Sequence, residues 1–151
     1  MPIQEANFKT GKIKVIKYTV YIASKFHSRY RLRPIKAQLQ ALGFKVLSKW
    51  MDPDVNTDTT CDIDSLGANL ELSKAEAERD SAEIKYSDIF IIDTQDISET
   101  GGREVELGMA MRSGCDLFRV GPIRNVFHTQ APAHNSWQEL IEYLRENYIH
   151  G

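Results

Sequence analysis

The chain has 151 residues, of which 42% are hydrophobic and 26% charged, a composition typical of one globular domain with a buried core. No run of about eighteen apolar residues occurs and residues 1–10 are polar, so the sequence predicts neither a membrane span nor a signal peptide. Two cysteines, Cys61 and Cys115, have no metal-ligand spacing, which indicates a reduced, cytoplasmic setting and no metal site.

The net charge of −2 conceals an uneven distribution along the chain. Residues 1–50 contain eleven basic residues and one acidic residue, whereas the remainder of the chain is strongly acidic. Five basic side chains crowd one predicted strand-to-helix junction, where they predict an anionic ligand: Lys25, His27, Arg29, Arg31 and Arg33. A sequence pI of about 6.1 and the absence of a groove-reading motif argue against nucleic-acid binding.

The N-terminal third predicts an arm, a strand, a helix and a second strand. Residues 1–13 are expected to form the arm, so that a single domain spans residues 14–151. Residues 14–23 are rich in Val, Ile and Tyr and predict the first strand. Residues 31–42 have apolar side chains at helical spacing, and the second strand is predicted over residues 44–50.

An acidic, Thr-rich loop over residues 51–67 follows, and its aspartates do not fit the spacing of a calcium-binding loop. Helices and strands then alternate: a helix over residues 70–86, a strand over 88–94, a helix from the glycine turn at 101 to 113, and strands over 116–120 and 125–129. A capping box at Ser136 begins the last predicted helix, which ends near residue 147. Such alternation predicts a parallel sheet with helices on both faces, and ligands of such sheets bind at the carboxyl ends of the strands.

The most informative stretch is residues 101–108, which read Gly-Gly-Arg-Glu-Val-Glu-Leu-Gly and follow an apolar strand. A strand, a glycine turn and a helix N-terminus together make an anion site, because unpaired backbone N–H groups point outward there. Glu104 and Glu106 lie in the first part of this helix, where the helix dipole favours ionised carboxylates. An ionised carboxylate beside such a site is a candidate nucleophile, although an ordinary strand–turn–helix junction has the same composition.

With these residues placed, the chain resembles the nucleoside 2-deoxyribosyltransferase superfamily, which includes deoxynucleoside 5′-monophosphate N-glycosidases. Residues 102–108 are similar to the family's G-x-x-x-E-L-G signature. Residues 21–24, Tyr-Ile-Ala-Ser, resemble its first strand and loop, and Asp80, eight residues before Asp88, matches its helix acid by position. Residues 120–128, Val-Gly-Pro-Ile-Arg-Asn-Val-Phe-His, resemble a version found in small members.

The resemblance covers roughly residues 18–147 and implies a flavodoxin-like, Rossmann-like three-layer α/β sandwich with about five parallel strands. It implies Glu106 as the nucleophile that attacks the sugar, with Asp80 orienting that nucleophile or protonating the leaving base. Two alternatives stay open on the residues. Glu104 can replace Glu106, and Asp80 can be an ordinary helix acid like its acidic neighbours Glu76, Glu78 and Glu83.

Substrate-binding residues are expected around the same turn. A 5′-phosphate is predicted to lie among hydroxyl and N–H groups of Ser24, Thr100, Gly101 and Gly102. Arg103 is expected to pair either with this phosphate or with an acidic neighbour, Glu99.

Two aromatic residues and two histidines complete the set. Trp50 can stack on the base or lie in the core, and Tyr21 can contact substrate or lie in the core. His27 and His128 are expected in exposed loops and are given no role.

The predicted function is therefore cleavage of the N-glycosidic bond of a 2′-deoxynucleoside or its 5′-monophosphate, by hydrolysis or by transfer of the deoxyribosyl group to another base. Two carboxylates suffice for this chemistry, so no cofactor is expected. The alternatives are a glycohydrolase of a dinucleotide such as NAD, as in Toll/interleukin-receptor domains, and a nucleotide-binding protein without turnover. Apolar and small side chains on more than one face of the helix over residues 70–86 predict a homodimer or an assembly of dimers.

Overall fold

The computed structural model describes residues 17–53 and 70–149, together with the backbone of residues 4–7 and 12–15. Most of the predicted loop over residues 51–67 lies outside the described residues, as do parts of the predicted N-terminal arm.

Five parallel strands form one sheet in the described part of the chain. They are β3 (Thr19–Ala23), β4 (Lys45–Val46), β5 (Ile89–Asp93), β6 (Asp116–Val120) and β7 (Ala133–His134), in the spatial order β4-β3-β5-β6-β7. An antiparallel hairpin of β1 (Gln4–Asn7) and β2 (Lys12–Val15) precedes them. The predicted parallel sheet of about five strands is therefore confirmed.

Four helices of the described residues flank this sheet: α1 (Arg29–Ala41), α2 (Leu70–Lys85), α3 (Gly102–Ser113) and α4 (Trp137–Tyr148). The chain moves outward from β3 to β4 and then returns past β3 to β5, so right-handed crossovers place α1 on one face and α2 and α3 on the other. Nε2 of Gln138 in α4 lies 3.5 Å from Oε1 of Gln38 in α1, which places α4 beside α1. The result is the three-layer α/β sandwich that the sequence predicts.

The core lies between these layers, and the two central strands run through its middle. Every residue of β5 is buried, as are the last four residues of β3. Both strands are nearly continuous apolar runs because a parallel sheet covered on both faces has no solvent-facing side. Side chains at their carboxyl ends are therefore held in fixed positions where ligands of such sheets bind.

Three predicted strands differ from the structure. The first begins at Thr19, because residues 12–15 belong to the hairpin instead. The second is limited to Lys45–Val46, since Ser48 Oγ accepts the N–H of Ile22 at 2.6 Å and so replaces the next backbone pairing of the ladder. The predicted strand over residues 125–129 is wrong: this segment is a short 3₁₀ turn (Val126–Gln130), and β7 follows it.

The predicted helices are confirmed within one or two residues of their ends. Ser136 Oγ caps α4 by accepting the N–H of Glu139 at 3.1 Å, as the capping box predicts. The same glutamate accepts the N–H of Asn135 at 2.9 Å. α3 begins after Gly101 and ends at Gly114, and both glycines have the left-handed backbone conformation that favours glycine.

Candidate active site

The loops after β5 and β6 are joined closely at the carboxyl edge of the sheet. Thr94 Oγ1 donates to the carbonyl of Pro122 at 2.6 Å, and Arg124 donates to the carbonyls of Thr94 and Gln95 at 2.6 and 2.8 Å. Gly121 permits this approach, because a Cβ atom there would lie 2.5 Å from Thr94 Oγ1. The loop that leads into α3 is thereby fixed against the end of β6.

Gly101 turns the chain from this loop into α3. Its φ of 78° is left-handed, and its carbonyl accepts the N–H groups of Glu104 and Val105, both at 3.2 Å. The helix therefore starts at Gly102, and Glu104 and Glu106 project in different directions. Glu104 lines a cleft of about 540 Å³ with Gly101 and Arg103, whereas Glu106 lines a different cavity.

The cavity that contains Glu106 lies between α2 and α3 and measures about 250 Å³. Asp80 from α2 lines it, as do Gly102 and Val105 from α3. The structure thus brings together the two predicted catalytic carboxylates and one of the predicted glycines. Apart from Asp80 and Glu106, the described residues that line the cavity are small or apolar except for one serine: Ala77, Ser81, Ile84, Gly102, Val105 and Met109.

The carboxyl group of Glu106 is partly buried and held by a tyrosine. Burial raises the pKa of Glu106 to about 8, against the opposing effect of a hydrogen bond that Tyr21 Oη donates to Glu106 Oε2. The nearby charges of Asp80 and Glu83 also contribute to this raised pKa, and that of Arg79 opposes it. Tyr21 is itself fully buried in β3, and burial, followed by the charge of Glu106, raises the pKa of its phenol. Tyr21 is therefore a core residue whose hydroxyl reaches the site.

Asp80 is partly buried and paired with its neighbour Arg79. The Arg79 Nη2 and Nε atoms lie 2.9 and 3.2 Å from Asp80 Oδ1. Burial raises the pKa of Asp80, and the ion pair with Arg79 opposes this shift. Glu83 lies one turn farther along α2, where its Oε1 is 4.0 Å from Arg79 Nε and accepts the N–H of Lys49 at 3.3 Å.

Glu104 has structural partners. Its Oε1 accepts Arg103 Nε at 2.7 Å and lies 3.1 Å from Nε2 of His128. Although burial opposes the shift, the hydrogen bond and charge of Arg103 and the contact with His128 hold the pKa of Glu104 below its usual range. These contacts favour Glu106 over Glu104 as the nucleophile, because Glu106 is the one that opens into the cavity shared with Asp80.

His128 is fully buried, so the expectation of an exposed loop residue is wrong. Its Nδ1 accepts the N–H of Arg124 at 3.0 Å, which places the ring proton on Nε2, facing Glu104. Burial lowers the pKa of His128, consistent with a neutral ring. The 3₁₀ turn, in which a strand was predicted, thus carries a buried histidine that anchors the start of α3. His27 is exposed, as expected.

Three predicted substrate-binding residues have structural contacts. Ser24 is buried and its Oγ donates to the carbonyl of Asp93 at 3.2 Å. Trp50 is 6% exposed, and its indole N–H donates to the carbonyl of Ile22 at 2.7 Å, so it is a core residue and its position does not support stacking on a base. Arg103 is 3% exposed and donates to the carbonyl of Asp96 at 2.6 Å as well as to Glu104, rather than to Glu99.

The other predicted phosphate contacts lie at the turn before α3. Thr100 and Gly102 are exposed and Gly101 is partly exposed. A Cβ atom on either glycine would meet no atom within 4 Å, so a ligand can approach the backbone there. The roles of these residues in binding stay predictions.

One arginine of the basic junction, Arg31, is neutralised by carboxylates, which the sequence did not predict. Arg31 pairs with both carboxylate oxygens of Asp93, at 2.9 and 3.0 Å, and also with Asp96 at 2.9 Å. Asp93 is fully buried at the end of β5 and accepts the indole N–H of Trp137 at 2.6 Å. The sequence feature that could have identified this ion pair is Asp93 itself, an acidic residue at the end of an apolar strand. A carboxylate buried in that position must be paired.

A second cleft of about 540 Å³ lies at this edge of the sheet, between the ends of β3 and β5. Lys25, His27 and Arg124 line it, and Ser28, Gln95, Asp96 and Ile97 complete the described lining. β3 and β5 flank the point at which the strand order reverses, where ligands of such sheets bind. Its basic side chains suit an anionic group.

Two solved structures with the same fold are a CMP N-glycosidase and a 2-deoxyribosyltransferase. The Clostridium botulinum CMP N-glycosidase is 20% identical to this chain, with a TM-score of 0.52 over 83% of this chain and 97% of that one. A 2-deoxyribosyltransferase from Bacillus psychrosaccharolyticus is 21% identical, with a TM-score of 0.59 over 87% of this chain and 92% of that one. The likeness confirms the fold that the resemblance to the nucleoside 2-deoxyribosyltransferase superfamily implied. No protein-family model and no curated protein matches the sequence.

Among the described residues, no helix is long and apolar enough to cross a membrane. Within the same ranges, no group of three or more His, Cys, Asp or Glu side chains is arranged to hold a metal ion.

Proposed function

We propose that this protein cleaves the N-glycosidic bond of a 2′-deoxynucleoside or its 5′-monophosphate, with Glu106 as the nucleophile. The observation that carries the proposal is the cavity between α2 and α3, which both Glu106 and Asp80 line and in which Glu106 is held by the hydroxyl of Tyr21. The names of the two structural neighbours support it, because one is a CMP N-glycosidase and the other a 2-deoxyribosyltransferase.

Cleavage follows from these groups in two steps. A carboxylate oxygen of Glu106 attacks C1′ of the sugar, the bond from C1′ to the base nitrogen breaks, and its electron pair leaves with the base, which takes up a proton. Water or the nitrogen of a second base then attacks C1′, which frees the Glu106 carboxylate and releases one proton. Asp80 either supplies the proton for the leaving base or orients the nucleophile.

The nucleophile must be ionised for the first step, whereas burial makes ionisation of Glu106 costly. The hydrogen bond from Tyr21 lowers this cost, since a donor to a carboxylate favours its charged form. Positive charge that develops on the sugar ring lowers it further in the transition state. The arrangement therefore stabilises ionised Glu106 most when substrate is present, which is the condition for catalysis.

A 5′-phosphate is the group that the basic cleft between β3 and β5 fits best. Lys25, His27 and Arg124 line it, and the exposed turn at Gly101 and Gly102 lies along the same edge of the sheet. Charge-assisted hydrogen bonds to a phosphate contribute about 1.5–3 kcal/mol each. The 5′-monophosphate is therefore the expected substrate, ahead of the bare nucleoside.

Incubation with a panel of ribo- and deoxyribonucleosides, their 5′-monophosphates and NAD, followed by chromatography, tests the proposal. Free base is expected from a deoxynucleotide with the wild-type protein, and not with Glu106→Gln. Addition of a second base separates the two outcomes of the second step, since a transferase forms a new nucleoside and a hydrolase releases the sugar. Tight binding without release of base would contradict the proposal, and release of nicotinamide from NAD would support the dinucleotide alternative.

A further inference from the structure

One guanidinium group lies between two carboxyl groups beside the cavity. Arg79 in α2 pairs with Asp80 through Nη2 at 2.9 Å and Nε at 3.2 Å, and its Nε is 4.0 Å from Glu83 Oε1. These three side chains are 23%, 24% and 11% exposed, so they are well shielded from water. At this degree of burial an ion pair is weakly screened, and its geometry fixes the position of Asp80 at the wall of the cavity.

Glu106 of α3 and Asp80 of α2 line the same cavity. The titratable groups near Glu106 are Tyr21 from β3 and Asp80, Glu83 and Arg79 from α2. Glu76 adds negative charge near Asp80. The described residues that line the cavity include two carboxyl groups and no basic side chain. If all of the carboxyl groups ionised, the charge of Arg79 would compensate them, while Lys49 adds positive charge near Glu83 alone.

We propose that Arg79 is a positioning residue for the reaction. Its guanidinium fixes Asp80 at the cavity wall and supplies the positive charge that allows Glu106 to ionise beside two other carboxylates. The catalytic consequence rests on the proposed function, because it matters only if ionised Glu106 is the nucleophile. The electrostatic consequence does not, since it is a property of the ligand-free protein.

Arginine can fill both roles because its planar fork presents two nitrogens to one carboxylate oxygen and retains its charge at any working pH. Lysine would keep the charge but not the paired contact. Glutamine would keep much of the side-chain length but lose the charge. Comparison of Arg79→Lys with Arg79→Gln therefore separates the charge from the geometry. Arg112, an exposed residue in the last turn of α3, provides a control for the loss of one positive charge on the helix that carries Glu106.

The titration of Glu106 is followed by carbon-13 NMR of glutamate carboxyl groups in the full chain, with Glu106→Gln to assign the signal. Arg79→Gln is expected to move the titration of Glu106 to higher pH by about half a unit or more, as expected for loss of a nearby opposite charge. Arg79→Lys should lie close to the wild type, and Arg112→Gln should match it. An unchanged titration in Arg79→Gln, or an equal shift in Arg112→Gln, would overturn the proposal. Arg79→Met, which keeps the aliphatic stem, serves in place of Arg79→Gln if circular dichroism shows that the latter does not fold.

Activity gives the second readout. In Arg79→Gln, kcat/KM for the deoxynucleotide is expected to fall about tenfold at neutral pH, with the acidic limb of its pH profile moved in the same direction as the NMR titration. Arg79→Lys should restore the pH profile but only part of kcat, because the paired contact with Asp80 is not restored. A uniform loss of activity with an unchanged profile would point to a merely structural role. Absence of turnover in the wild-type protein would contradict the proposed function, while the NMR titration would still decide the role of Arg79.

Discussion

Tyr21 and Glu106 lie 85 positions apart in the chain and are joined by a hydrogen bond from the phenol Oη to Oε2 of the carboxyl group. The phenol cannot easily move, because Tyr21 is fully buried and its ring stacks on Phe90 with centroids 5.8 Å apart. A central strand of the sheet thus fixes the orientation of a carboxyl group on a helix. The hydrogen bond also lowers the pKa of Glu106 and so opposes the effect of burial, which favours the neutral carboxyl group.

Tyr21→Phe is therefore expected to slow the reaction and to alter its pH dependence. Loss of the hydrogen bond removes a group that lowers the pKa of Glu106, so ionisation of the nucleophile requires a higher pH. In the wild type kcat/KM is expected to fall as pH drops through about 8, the pKa of Glu106, and in the variant it should fall at a higher pH. We expect a loss of about tenfold at neutral pH, measured as a pH profile of kcat/KM. Identical profiles would contradict the role of Tyr21.

Tyr18→Phe is the matched control for the loss of a tyrosine hydroxyl. Tyr18 lies just before β3, and its Oη is buried without a hydrogen-bond partner among the described atoms. Removal of an unsatisfied buried hydroxyl leaves no partner unpaired, so the free energy of unfolding should be unchanged or higher by up to about 1 kcal/mol. Activity should equal that of the wild type. A large loss of stability, measured by urea denaturation, would mean that this hydroxyl has a partner.

Glu106→Gln should increase stability while it abolishes turnover. The folded-state pKa of about 8 lies above the ordinary value of 4.5, so the favourable contribution of the protonated group is complete below pH 4.5 and is lost as pH rises through 8. Glutamine does not ionise and retains this contribution at every pH. The Tm of the variant should exceed that of the wild type at about pH 8.5 by about 2–4 °C for each kcal/mol recovered, and the difference should shrink near pH 5.

Glu104→Gln should have the opposite effect, although the two glutamates are two positions apart. Arg103 and His128 hold the pKa of Glu104 below its usual value of 4.5, so its contribution to stability is present above that pH and is lost as pH falls. The variant leaves the buried guanidinium of Arg103 without its charged partner. The free energy of unfolding of the variant is expected to be about 1–3 kcal/mol lower than that of the wild type at neutral pH. This difference should become smaller towards pH 4. Thermal melts of both variants across pH give the comparison, and equal signs would contradict these assignments.

The two glutamates also show which features of the site the sequence could predict. The pattern from Gly101 to Gly108 predicted the turn, the helix and the candidate carboxylates, because those features depend on local chemistry. It could not distinguish the surroundings of Glu104 from those of Glu106. Those surroundings come from His128, Tyr21 and Asp80, which are distant in the chain, and only tertiary packing brings them together.

Because the sequence does not show tertiary packing, it also could not show how the basic residues of the strand-to-helix junction are paired. The sequence placed five basic residues near the carboxyl edge of the sheet and predicted an anionic ligand there. Arg31 instead pairs with Asp93, and Arg29 stacks over the rings of Phe26 and Tyr30, 4.1 and 4.4 Å from their centroids. A count of charges does not reveal which of them are neutralised inside the fold. Lys25 and His27 are the members of the cluster that line the cleft between β3 and β5.

Lys25→Gln is therefore expected to weaken binding of the phosphate selectively. KM for the 5′-monophosphate should rise about tenfold or more, as expected for loss of one charge-assisted contact, while kcat changes little. The KM for the bare nucleoside should not change, since it lacks the charged group. Arg33→Gln is the control, because Arg33 carries the same charge on α1 but donates from Nε to the carbonyl of Met51 at 2.6 Å and does not line this cleft. Equal kcat/KM values for nucleoside and monophosphate in the wild type would contradict a phosphate site altogether.

Assembly into a homodimer across α2 and α3 is the last prediction. Apolar side chains on these helices are open to solvent: Leu70 and Leu72 of α2 are 65% and 37% exposed, and Val105 of α3, which lines the cavity, is 61% exposed. A second copy packed there would bury these side chains and close the cavity from one side, which fits the two-fold symmetry of most soluble oligomers.

Light scattering at micromolar concentration measures this assembly. The expected mass is at least twice the 17.2 kDa of one chain, and a mass near 17.2 kDa would contradict the dimer. Leu72→Arg should shift the mass towards that of one chain, because it places a charge in the apolar contact. Val126→Arg is the control, since Val126 is 71% exposed on the 3₁₀ turn that packs against the start of α3 rather than on α2. Leu72→Arg is also tested for activity at several protein concentrations. If activity is lost on dissociation and returns at higher concentration, closure of the cavity by the second copy is needed for turnover.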